Sequence, residues 1–117
     1  MRHIRALIIV AGCLVAGSAQ SAKVTLLGPG AANSCGTWTH ERQVGSTKSL
    51  LMGVWVLGFL SGANVTGPQN NDLLAATDYA GIYGWIDNYC KAHPLKEFMA
   101  AVDALVDELQ QHNVSQR

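Results

Sequence analysis

Two cysteines, Cys35 and Cys90, bracket the folded part of this chain, and the third, Cys13, lies in an apolar segment ahead of it. The chain opens on Arg2 and Arg5, continues through an apolar run over 6–17, and leaves through Ser18, Ala19, Gln20, Ser21 and Ala22. A basic start, a short apolar run and a small-residue exit are the layout of a secretory signal peptide. The run is shorter than the ~20 residues that span a bilayer. We therefore read 1–22 as a signal peptide, and the protein as periplasmic (secreted). Val10-Ala11-Gly12-Cys13 also has the form of a lipobox, so lipidation of Cys13 is the alternative, and the one route to a membrane. Either outcome removes Cys13 from the thiol count and leaves one possible pair. In an oxidising compartment that pair is a Cys35–Cys90 disulfide. Closing a loop of this length stabilises a small domain by roughly 2–4 kcal/mol.

This staple limits the fold to one small domain. The remaining ~95 residues form a modest core. They carry six basic residues (Lys23, Arg42, Lys48, Lys91, Lys96 and Arg117) against eight acidic ones, a net charge of −2. No basic patch interleaves with aromatics, so nucleic acid is excluded as the partner. The organisation expected is a signal peptide over 1–22, an irregular lead-in over 23–34 around Gly28-Pro29-Gly30, and a helical, disulfide-bridged domain over 35–117.

Within that domain the periodicities predict an all-α fold of about four helices. Residues 35–42 read as a short helical turn or loop. Ser46 or Thr47 can cap the stretch 48–64, whose apolar residues (Leu50, Leu51, Val54, Trp55, Val56, Leu57, Phe59 and Leu60) cover every face. A helix of that kind is expected at the centre of the core, with Gly58 and Gly62 admitting a close neighbour. A loop around Gly67-Pro68 follows. Asp72 or Thr77-Asp78 starts the next helix, with Tyr79, Ile82, Tyr83, Ile86, Tyr89 and Cys90 on one stripe. Pro94 ends it and suits the first turn of a last helix. That helix places Leu95, Phe98, Met99, Val102, Leu105, Val106 and Leu109 on a face expected to pack flat on the central one. The tail 111–117 is expected to fray.

Chemistry-bearing residues are sparse. His40, His93 and His112 have no metal-ligand spacing, and no metal or other cofactor is expected. Cys35 belongs to the disulfide and has no partner base in sequence. Asp103, Asp107 and Glu108 lie on the polar side of an amphipathic helix, where a solvated face explains them. Asn64-Val65-Thr66 and Asn113-Val114-Ser115 match the glycosylation pattern, which carries no weight in a bacterial protein. The aromatics Trp38, Trp55, Phe59, Tyr83 and Trp85 are the candidate partner-binding residues, Trp38 and Tyr83 being the best placed for exposure. The reading is a protein that binds and does not catalyse.

The run Tyr89-Cys90-Lys91-Ala92-His93-Pro94, together with Ser34-Cys35 and the apolar helix around Trp55, resembles periplasmic acid-stress chaperones of the HdeA/HdeB type. The resemblance covers roughly residues 34–109. It implies an all-helical fold whose disulfide joins two helices, a possible homodimer, and binding of unfolded clients at low pH. Full protonation would carry the exported chain from about −2 to about +9. Gly58-Phe59-Leu60-Ser61-Gly62 and His93-Pro94 are also similar to small immunity proteins of type VI secretion systems. That similarity implies, as the alternative, an inhibitor of a secreted toxin.

Overall fold

The computed structural model describes residues 24–68 and 70–115. The segment read as a signal peptide and its Cys13 lie outside the described residues. The chain is all-α, with helices α1 (Cys35–Val44), α2 (Thr47–Thr66), α3 (Tyr79–Ala92) and α4 (Phe98–Ser115). Cys35 and Cys90 form the disulfide that joins the start of α1 to the end of α3. Among the described residues the β structure is a single isolated bridge between Ser34 and Glu97.

Local chemistry starts three of the helices. Ser34 Oγ accepts the backbone N–H of Thr37 at 3.1 Å, Ser46 Oγ that of Ser49 at 3.1 Å, and Asp78 Oδ1 that of Gly81 at 2.8 Å. Each satisfies a donor the helix leaves orphaned at its N-terminus. Gly45, in the left-handed region at φ 65°, closes α1. The segment expected to be a short helical turn or loop over 35–42 is thus a helix of ten residues, Cys35–Val44.

The core gathers Cys35 and Trp38 of α1, Met52, Val56 and Leu60 of α2, Ile82, Ile86 and Cys90 of α3, and Phe98, Ala101, Val102 and Leu105 of α4. Helix α3 lies against both α1 and α4, and α2 packs mainly on α1. The expectation that α2 is central is corrected. It flanks the bundle and buries one stripe, Met52, Gly53, Val56 and Leu60. The last helix correspondingly packs on α3 and α1.

Helix α4 also begins later than Pro94, and Leu95 is 97% exposed. The reason is tertiary. The Lys96 carbonyl accepts the N–H of Cys35 at 2.8 Å, the Pro94 carbonyl accepts that of Gly36 at 3.0 Å, and Phe98 N–H donates to Asn33 O at 2.8 Å. Residues 94–97 form a turn, closed by Lys96 N–H on the His93 carbonyl at 3.0 Å, that presents the Pro94 and Lys96 carbonyls to the first orphan donors of α1, so they do not also start a helix. At the other end the tail does not fray at Gln111. Helix α4 runs to Ser115, and Asn113 Nδ2 donates to the Asp72 carbonyl at 2.8 Å.

Candidate binding face

The outward side of α2 is apolar. Leu50 is 63% exposed, Leu51 53%, Val54 57% and Val65 75%. These residues follow one another at helical spacing, with Gly58, Ser61 and Gly62 between them, also exposed. The hydroxyls in the second half of this helix are turned back onto its own backbone. Ser61 Oγ donates to Leu57 O at 2.7 Å and Thr66 Oγ1 to Gly62 O at 2.9 Å. Lys48 is the lone charged residue in α2. The face therefore offers shape and apolar area with few free hydrogen-bonding groups. By length and composition alone this helix of 20 residues is apolar enough to cross a membrane.

The glycine spacing that suggested a helix–helix notch works differently. At Gly58 and Gly62 nothing lies within 4 Å of the position a Cβ would take. Close approach occurs at Gly53, where a Cβ would stand 2.7 Å from Tyr83 Oη and 2.8 Å from its Cζ. Gly53 lets the Tyr83 side chain of α3 lie on the backbone of α2.

Four of the five candidate aromatics form two pairs, Trp38 with Tyr83 and Trp55 with Phe59, and Trp85 stands apart from them. Trp38, expected to be exposed, is fully buried. Its indole Nε1 donates to Asp87 Oδ1 at 2.7 Å, and its ring lies 5.0 Å from Phe98. A Trp with one apolar body and one partnered N–H belongs in a core. Tyr83 is half-buried, edge-on to Trp38 at 6.0 Å, with the Arg42 guanidinium 5.5 Å from its ring centroid. Burial raises the Tyr83 phenol above its ordinary value, with Arg42 pulling the other way. Trp85 is half-buried and stacks on Tyr89 at 5.5 Å. Trp55 stacks on Phe59 at 5.6 Å, both half-buried on α2.

Trp55 carries a further contact. Its Nε1 donates to the Leu27 carbonyl at 2.9 Å. The backbones of Gly28 and Gly30 lie against its ring so closely that a Cβ at either position would collide with ring atoms. The irregular lead-in is therefore a strap across Trp55. The sequence signal for it was Gly28-Pro29-Gly30, read as a loop without an indication of what the loop covers.

Electrostatics concentrate between α1 and α3. Arg42 Nε and a terminal guanidinium nitrogen donate to the two oxygens of Asp87 at 3.1 and 2.8 Å. The bond to Asp87 holds the Arg42 guanidinium above its ordinary value, against the effect of burial. Asp87 thus accepts from three donors on α1. On α4, burial first and the neighbouring Asp107 second raise the Asp103 carboxyl above its usual value of 3.8. Both asparagines of the glycosylation-like triplets are structural. Asn64 Nδ2 donates to Asp72 Oδ1 at 2.8 Å, and its Oδ1 accepts Leu73 N–H at 2.8 Å. Asn113 holds the same loop from α4. Among the described residues no group of three or more His, Cys, Asp or Glu side chains could hold a metal ion.

The sequence reading missed the exposed Leu50, Leu51, Val54 and Val65 face. The sequence carried only half of the signal: one stripe at four-residue steps, such as Met52, Val56 and Leu60, is one side of a helix, so apolar residues on every side exceed what one contact covers, without showing which side is outward. Neither protein-family models, nor curated proteins, nor solved structures give a match to this chain.

Proposed function

We propose that the protein is a non-catalytic periplasmic binding protein of the acid-stress chaperone kind, holding unfolded clients on the outward face of α2. The observation that carries this reading is the exposure of Leu50, Leu51, Val54 and Val65 on one side of a helix whose other side is anchored in the core. A contiguous exposed apolar patch of this kind marks an interaction surface. Its lack of directional hydrogen-bonding groups suits clients with no common sequence.

Asp87 of α3 ties that helix to α1, accepting from Arg42 and from the indole of Trp38. The ion pair is more than a third exposed on each side, so its share is at most about 1 kcal/mol. The buried indole's hydrogen bond adds about 1 kcal/mol. The disulfide limits how far α1 and α3 can separate if these contacts are lost. The positive charge gained in acid would keep a client complex soluble.

The test is light scattering from an unrelated acid-unfolded protein at pH 2–3 and at pH 7, with the wild type and with the Leu50→Ser/Val54→Ser variant. Suppression by the wild type in acid, weakened in the variant, is expected. Absence of suppression at every pH overturns the reading. Tight one-to-one binding of a single folded partner at neutral pH, with no effect on unrelated clients, would establish the toxin-inhibitor alternative in its place.

A further inference from the structure

We infer that the indole of Trp55 forms a binding site for a glycine-proline-glycine turn, now occupied by the chain's own residues 27–30, which close a turn through Ala31 N–H and the Gly28 carbonyl at 3.1 Å. The geometry is that of a ligand on a receptor. Trp55 Nε1 donates to a backbone carbonyl, that of Leu27, at 2.9 Å. Glycine backbone at positions 28 and 30 lies against the indole, and neither position has room for a Cβ. Gly28 is also at φ 127°, a conformation that side chains disfavour. Pro29 between them stiffens the segment. An aromatic face with an adjoining N–H donor can hold such a turn by its backbone, the carbonyl satisfying the indole and the bare glycines admitting close approach.

The occupant is held at one end. Asn33 anchors the strap, its carbonyl accepting Phe98 N–H at 2.8 Å and its amide donating to the Pro29 carbonyl. Toward the other end Val24 is 76% exposed and Leu27 83%. None of the strap's residues belongs to the core cluster. The strap can therefore lift from Trp55 about Asn33 without disturbing the bundle. The site it would vacate continues into the outward α2 face, since Leu51 is one turn before Trp55 and the space around Gly58 is open. A peptide from another chain, carrying glycine at both contact positions, would take the same hydrogen bond and the same indole surface. This inference does not depend on the identity of the clients held by α2.

The test uses the natively exported, disulfide-bonded protein labelled with ¹⁵N, in which each Trp indole N–H gives its own resonance. Gly30→Ala displaces the strap by collision with the ring. The Trp55 indole proton should then exchange with solvent roughly tenfold faster, while that of Trp38, bonded to Asp87, is unchanged. A blocked peptide carrying residues 24–32, added in trans to this variant, should shift the Trp55 resonance and restore slow exchange. The same peptide with alanine at both glycine positions should not. Should Gly30→Ala disturb the Trp38 resonance as well, Gly28→Ala repeats the experiment with the strap displaced at its other contact. Equal Trp55 exchange in wild type and variant, or identical behaviour of the two peptides, overturns the inference.

Discussion

Placing an alanine at each of three glycines of α2 should change stability with opposite signs, and the structure sets the size of the difference. Replacing Gly by Ala inside a helix gains about 1 kcal/mol from backbone entropy. At Gly58 and Gly62 nothing lies within 4 Å of the new methyl, so that gain should appear in full. At Gly53 the methyl would stand 2.7, 2.8 and 3.2 Å from Oη, Cζ and Cε1 of Tyr83. That ring has little room to retreat. Trp38 lies 6.0 Å away edge-on, Tyr79 6.2 Å away, and Arg42 5.5 Å from the ring centroid. Overpacking of this kind costs about 1–3 kcal/mol. Gly53→Ala should therefore be neutral to destabilising by about 2 kcal/mol, and it should differ from Gly58→Ala by about 1–3 kcal/mol. Urea unfolding followed by circular dichroism, with the disulfide intact, measures this as a shift in midpoint at constant slope. Tyr83→Ala should restore the gain to Gly53→Ala, because the three atoms nearest the new methyl all belong to Tyr83. If Gly53→Ala stabilises as much as the other two substitutions, the packing of Tyr83 on α2 is refuted, and with it the placement of α2 against α3.

Asp103→Asn should stabilise the protein by a few tenths of a kcal/mol at pH 7, since it removes a charge that burial penalises and that lies one turn from Asp107. The folded-state value of Asp103 is raised above 3.8, so its charge costs stability above that folded value. The cost is lost as pH falls through it, and wild type and variant should converge below pH 3.8 in thermal melts across pH. Asp87→Ala should destabilise by about 1–2 kcal/mol at pH 7 in urea unfolding, by loss of the Trp38 and Arg42 bonds. Reduction of the Cys35–Cys90 bond, which closes a separation of 55 residues, should cost roughly 2–4 kcal/mol in chemical unfolding. Leu50→Ser and Val54→Ser should each leave the urea midpoint nearly unchanged, within about 0.5 kcal/mol, because neither side chain is in the core.

What could be read without coordinates was local or covalent. The cysteine count sufficed for the disulfide. Ser46 and Asp78 cap α2 and α3 because a short polar side chain reaches its own helix three residues on, and no distant partner is needed. The stripe Ile82, Ile86 and Cys90 of α3 and the stripe Phe98, Val102 and Leu105 of α4 bury the faces their spacing marks, because the opposite faces are polar enough to exclude the alternative.

Where that contrast fails, tertiary structure decided. Helix α2 is apolar on every side, so its sequence holds no preference for burying Met52, Val56 and Leu60 over Leu50, Val54 and Val65. The choice came from the shape of α1 and from Tyr83, which fits only over Gly53. Trp38 went inside because Asp87, 49 residues away, supplies an acceptor for its N–H. Residues 94–97 gave up the first turn of α4 because the orphan donors of α1 needed their carbonyls. The strap crosses Trp55 because two glycines let backbone meet an indole that lies 25 residues further along the chain. Each of these outcomes depends on a pair of groups distant in sequence, and such a pair exists only once the helices have packed.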